Sequence, residues 1–177
     1  MNHQPTFKQT FIALALLGLL FTSCTSSGKT EPVATVDTVS ANINAYTHVW
    51  EEIMNKRKME MFNDSNFKKD VVLRATPTDV VGLDNFKAYY ENFMTGFSDI
   101  QFTIKDIFGQ GNKLVKYWNF KGKHTGSFFG IPATGNSVNI DGTTLVLMDN
   151  GKIAEERDFF DNLEFMTQLG QLPPPVK

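Results

Sequence analysis

The residue pattern predicts an α+β roll, a cone in which a curved antiparallel sheet packs against N-terminal helices. Three observations predict it. Two segments in the first half space their apolar residues as helices do, four later runs alternate apolar with polar residues, and the connections between those runs contain Gly, Asn, Asp and Pro. The chain of 177 residues suits one such domain. With 41% hydrophobic and 20% charged residues, it is neither disordered nor a coiled coil. A net charge of -2 provides no electrostatic footprint for nucleic acid. Sixteen phenylalanines suit either generous packing or the lining of an apolar hollow.

From Asn42 to about Phe62, Ile43, Tyr46, Trp50, Ile53, Met54 and Met61 recur mostly at three and four, the stripe of a buried helical face, with Ser40 as the expected N-cap. Asn63 to Asn66 interrupts that stripe. Val71, Val72 and Leu73 then predict a short strand over Asp70 to Arg74. A second helix is expected from a cap at Asp84 to Gly96, with Phe86, Tyr89, Tyr90, Phe93 and Met94 on one face. Beyond Ser98 the period becomes two. Phe102 and Ile104 begin the first run, Gly109 to Gly111 turns it, and Lys113 to His124 forms the second. A Gly- and Pro-containing loop, Gly126 to Gly135, leads to Val138–Met148, and the tight turn Asp149-Asn150-Gly151 leads to Lys152–Asp161. Asn162 to Gly170 is expected to make one or two helical turns before Pro173, Pro174 and Pro175.

The N-terminus reads as an export signal. Lys8 precedes the apolar run Phe11 to Phe21, which is too short for a stable membrane anchor, where about 20 helical residues are needed. The ending Leu20-Phe21-Thr22-Ser23-Cys24 resembles a bacterial lipobox, whose cysteine is acylated and becomes the new N-terminus; Phe21 is bulkier than the usual residue there. Cys24 is the only cysteine, so no intrachain disulfide forms, and lipidation accounts for an otherwise isolated thiol. The other reading is a cleaved secretory peptide with an incidental cysteine. The expected organisation is a signal peptide over 1–23, a Thr- and Ser-rich tether over 24–40, a folded domain over 41–172 and a tail over 173–177.

One segment carries a family resemblance. Gly122-Lys123-His124-Thr125-Gly126-Ser127-Phe128-Phe129-Gly130-Ile131-Pro132-Ala133-Thr134-Gly135 resembles the GxHxGxFxGIPATG segment of SnoaL-like polyketide cyclases, also called ester cyclases. Downstream, Asp149-Asn150-Gly151-Lys152-Ile153-Ala154-Glu155-Glu156, then Asp161, then Gln168-Leu169-Gly170 are similar to the family's dGKIxE, D and QLG at matching spacing. The resemblance implies a nuclear-transport-factor-like cone over roughly Ile43 to Leu172. It also implies an acid and base aspartate on the last strand for an intramolecular aldol ring closure that uses neither metal nor cofactor. By order and spacing that aspartate is Asp161. Arg157 departs from the family by standing where an aromatic, commonly Trp, is expected. Homodimers through the open sheet face are a further implication.

Each candidate also has a plainer reading. Asp161 suits acid and base work if its pKa is raised by burial among Phe159, Phe160 and Phe165, but with Glu164 three residues on it equally suits a capping box. Asp158 falls on the opposite face of a regular strand, so only one of the two should face the pocket, and the expectation favours Asp161. Arg157 shares the Asp161 face and is a candidate substrate contact, or an exposed partner of Glu155. His124 offers an imidazole that can protonate a substrate oxygen, or a ring that fastens loop backbone. Tyr46, Trp50, Asn63, Phe93 and Phe128 are candidate substrate contacts, against core packing for the aromatics and turn formation for Asn63. No histidine spacing of the HxH or HExxH kind occurs, so no metal site is expected. The function implied is a lipoprotein with a pocket for a small apolar organic molecule, either a cyclase-like acid/base catalyst or a non-catalytic binder; a dimeric interaction module with a filled core is the third possibility.

Overall fold

A computed structural model describes residues 36–173. Helix α1 spans Val36–Lys56 and is longer than the apolar stripe alone requires. Ser40 lies inside it instead of capping it, so the helix takes in the last five residues of the expected tether. The helix ends where Arg57 adopts a left-handed φ of 56° and the chain leaves through a 3-10 turn over Met59–Met61. Strand β1 (Phe67–Leu73) pairs with the two-residue β2 (Val80–Val81), and α2 (Leu83–Gly96) follows. Gly82, with φ of 91°, takes the N-cap expected of Asp84, which lies in the first turn.

Four strands then run in sequence: β3 (Phe97–Gln110), β4 (Lys113–His124), β5 (Ser137–Asp149) and β6 (Lys152–Phe160). Asn150 and Gly151, both at positive φ, make the tight β5–β6 turn, a backbone state that a β-branched residue would resist. Helix α3 (Asn162–Gln168) closes the described chain. The sheet order is β2-β1-β6-β5-β4-β3. All pairings are antiparallel except β1 with β6, which is parallel and was not foreseen in the sequence.

Curvature comes from extra residues. Strand β3 carries one between Ser98 and Gln101, where Asp99 has a φ of 52°, and another between Ile104 and Asp106. On β6 the register slips by one at Ala154: Ile153 pairs with Met148, but Glu155 pairs with Leu147. That slip reverses the alternation. Ile153 is buried, yet beyond the bulge Glu156 and Asp158 turn inward while Arg157 and Phe159 face out. Helices α1 and α2 bury Tyr46, Trp50, Ile53, Phe86 and Tyr90 against the concave face, making one continuous core with Leu114, Trp118, Phe120, Val146 and Phe165.

Candidate functional site

Between α1, α2, α3 and the concave sheet lies a partly open pocket, with about 530 Å³ of space unoccupied by atoms when the open solvent at its mouth is included. Nine of its thirteen wall residues are aromatic, among them Trp50, Tyr89, Phe93, Trp118 and Phe165. Two wall residues, Asp158 and Lys116, carry charge. Register explains why they meet. Lys116 pairs with Thr144 across β4–β5, and Thr144 pairs with Asp158 across β5–β6, so the three form one row on the concave face.

The carboxyl groups are held by a chain of hydrogen bonds. Trp118 Nε1 donates to Thr144 Oγ1 at 2.9 Å, and the Thr144 hydroxyl donates to Asp158 Oδ1. The Tyr90 hydroxyl lies 3.1 Å from Asp158 Oδ2 and 3.3 Å from Glu156 Oε2. On its other oxygen, Glu156 accepts from Tyr46 at 2.5 Å and from Trp50 Nε1 at 2.9 Å. Gly142 is necessary to this arrangement, because a Cβ there would stand 2.2 Å from Trp118 Cζ2. With no side chain at 142, the indole lies flat across β5 and reaches Thr144.

Glu156 has no exposed surface. Burial pushes its carboxyl from 4.5 up to about 7; Lys116 and the Tyr46 and Trp50 donors pull against the rise, and Asp158 adds to it. Lys116 is also buried, and desolvation pushes its ammonium below its ordinary value against the attraction of both carboxylates. The hydroxyls of Tyr46 and Tyr90 are driven up by burial and by the acidic pair, so both remain proton donors. When Glu156 is protonated, its Oε2 hydrogen can donate to Tyr90 while Tyr90 donates to Asp158, a directed path from a buried acid to a pocket-facing base.

The candidates read from sequence divide. Trp50 and Phe93 line the pocket, and Tyr46 lies one hydrogen bond behind it on Glu156. Asp161 is exposed, past the end of β6, and its Oδ1 accepts from the Glu164 backbone N–H at 2.9 Å; it caps α3. The pocket aspartate is Asp158. Arg157 is exposed on the convex side with its guanidinium 5.2 Å from the Phe159 ring centre, and Glu155 pairs with Arg74 instead. Asn63 shapes a turn, accepting from the Ser65 and Asn66 backbones and donating to the Glu60 carbonyl. Phe128 is buried against Phe93, Phe97 and Phe165, outside the pocket wall.

His124 is fully buried, and its Nδ1 accepts from the Thr134 backbone at 3.3 Å and contacts the Thr134 hydroxyl at 3.0 Å. It fastens the Gly126 to Gly135 loop onto β4 and does not reach the pocket. Burial lowers its pKa against a smaller opposing pull from the Gly126 backbone, although Nε2 finds no partner of hydrogen-bond geometry among the described residues. Glu156 and Lys116 were missed in sequence because nothing local distinguishes an inward charge from an outward one. An indirect signal was present at 116, the middle of an alternating run in which Leu114, Trp118 and Phe120 share its parity. Cys24 lies outside the described residues.

A curved sheet closed by helices over an apolar pocket defines a nuclear-transport-factor-like cone. The chain belongs to the SnoaL-like polyketide cyclase family, whose model matches residues 44–169. Solved structures of the same fold include a candidate SnoaL-like polyketide cyclase from Jannaschia sp. CCS1, with a TM-score of 0.71 at 20% identity, covering 79% of this chain and 98% of that one. TsrD from Streptomyces laurentii is similar at a TM-score of 0.67 and 22% identity, over 75% of this chain and 97% of its own. AclR from Streptomyces galilaeus, a candidate hydroxylase, is similar at a TM-score of 0.67 and 20% identity, over 78% and 87%. No curated protein matches the chain significantly.

Proposed function

We propose that this protein is an exported lipoprotein whose pocket takes a small apolar organic molecule and performs metal-free acid/base chemistry of the cyclase type, with Asp158 as the group that moves the proton. The observation that carries the reading is the Asp158–Tyr90–Glu156 chain: a carboxylate in an apolar wall, connected through one hydroxyl to a buried acid of pKa about 7. Asp158 takes a proton from the carbon next to a carbonyl. The enolate carbon then attacks a second carbonyl carbon of the same molecule, and the resulting alkoxide takes the proton back from Asp158, so the product is an isomer of the substrate. Glu156 acts through Tyr90 as a positioning residue. The second reading, a binder without turnover, is favoured by the pocket wall itself, where nine aromatic residues stand beside two charged ones.

Full-length protein incubated with methyl esters of linear poly-β-ketones tests the choice. Catalysis gives a product of unchanged mass and altered chromatographic mobility. Asp158→Asn is expected to slow that conversion by about 100-fold or more, the scale of a lost general base, and Asp161→Asn by less than about two-fold, since an asparagine Oδ1 still accepts from the Glu164 N–H and caps α3 about as well. Equal turnover by Asp158→Asn and wild type would remove the catalytic reading.

A further inference from the structure

Among the described residues, Lys116 is the charged pocket group that the acid/base reading leaves unused. The residue is 3% exposed. Its ammonium forms no ion pair and finds no hydrogen-bond acceptor among the described residues, standing instead over the rings of Trp50, Tyr46 and Phe102 at 4.8, 5.1 and 5.2 Å. Ring faces attract a cation but leave its N–H donors without an oxygen, and burying an ammonium on those terms is costly. An apolar side chain of similar length would fill the position without that cost. The pocket wall therefore presents a three-donor ammonium with no acceptor in hydrogen-bond reach among the described residues, in the same cross-strand row as Asp158. Two strand spacings put the Lys116 and Asp158 backbones roughly 10 Å apart, enough for the reacting end of one small molecule between the side chains.

Resting on the acid/base reading above, we infer that Lys116 is the oxyanion partner of the pocket, which defines the substrate as a neutral, largely apolar carbonyl compound whose oxygen meets Lys116 while its adjacent C–H faces Asp158. The step balances. The Asp158 carboxylate takes the proton, the C–H electron pair becomes the new C=C bond, and the carbonyl π pair moves onto oxygen as an enolate. One negative charge leaves Asp158 and reappears beside Lys116, so the pocket's total charge is unchanged. Preformed within a largely aromatic wall, the ammonium stabilises that charge with little reorganisation.

Asp158→Asn is neutral at position 158, as the aspartate is after proton transfer, so this variant should hold an enolate-like anion. The probe is 4-nitrophenol, whose phenol and phenolate forms differ in absorbance. Titrated into full-length Asp158→Asn protein, it is expected to bind as phenolate at least about ten-fold better than as phenol, and Asp158→Asn/Lys116→Met should lose that preference while still binding the phenol. Lys116→Gln, which keeps a donor without the charge, should retain part of it, and guards against a folding defect in the methionine variant. In the wild-type background Lys116→Met should lower turnover by about 100-fold. An undiminished phenolate preference without Lys116 would overturn the inference, as would a borohydride-stable adduct of a carbonyl substrate on Lys116, which would make the lysine a nucleophile. A phenolate preference that depends on Lys116, in a protein that turns over no poly-β-ketone ester, would refute the acid/base reading and leave the anion seat standing.

Discussion

Glu156 is a carboxyl with no exposed surface, and its cost to the fold is measurable. In the unfolded chain it ionises near 4.5, and in the fold near 7, because burial outweighs the donors on Oε1. The fold thus binds this proton more tightly than the unfolded chain does. Its contribution is fully present below pH 4.5, declines as the unfolded chain ionises, and is gone once pH has risen through about 7. At about 1.36 kcal/mol for each pH unit between those values, the loss is about 3 kcal/mol. Glu156→Gln cannot ionise. Urea unfolding from pH 4.5 to 8 should find the stability of the variant rising relative to wild type by about 3 kcal/mol across that range; a gap that stays constant would mean that Glu156 does not carry a raised pKa. His124 has the opposite sign. Its lowered pKa favours the neutral ring in the fold, so its contribution is full above the unfolded value, declines as pH falls below it, and is gone once pH has fallen through the lower folded value.

At the level of elements, the β6 bulge decides which carboxylate serves the pocket. With Ile153 in the core, uninterrupted alternation would turn Glu155, Arg157, Phe159 and Asp161 inward; the extra residue at Ala154 turns Glu156, Asp158 and Phe160 inward instead. A period-two reading therefore separates Asp158 from Asp161 correctly and still selects the wrong one. The neighbouring strand offers a second test. Gly142→Ala would place a methyl group inside the Trp118 ring, so the indole must leave Thr144 or β5 must shift. The expected cost is about 1–3 kcal/mol, read as a lower thermal midpoint together with a changed near-ultraviolet circular dichroism signal from Trp118. A midpoint within one degree of wild type would show that the Trp118–Gly142 contact is loose. Element types were mostly legible because helical and strand periods are local properties. Helix α1 began earlier than its stripe, and the parallel β1–β6 pairing depends on a contact between positions far apart in the chain.

For the whole molecule, the proposed lipid anchor at Cys24 makes location a property of one side chain. Cys24→Ser expressed in a bacterial host should lose labelling by a radioactive fatty acid and move from the membrane fraction to the soluble envelope fraction, with the cone unchanged by circular dichroism. Labelling that persists in the variant would exclude Cys24 as the acylated residue. The sequence by itself determined the α+β class, the helix stripes and the tight Asn150-Gly151 turn, because these follow from local spacing and turn chemistry, and its motif resemblance pointed to the family. Only the tertiary structure decided that Asp158 and Lys116 face one hollow, that Glu156 is buried behind Tyr90, and that Asp161, Arg157 and Asn63 do other work. The physical reason is that one extra residue in a strand inverts its faces, and a charge acquires its pKa and its partners from strands that the linear order keeps far apart.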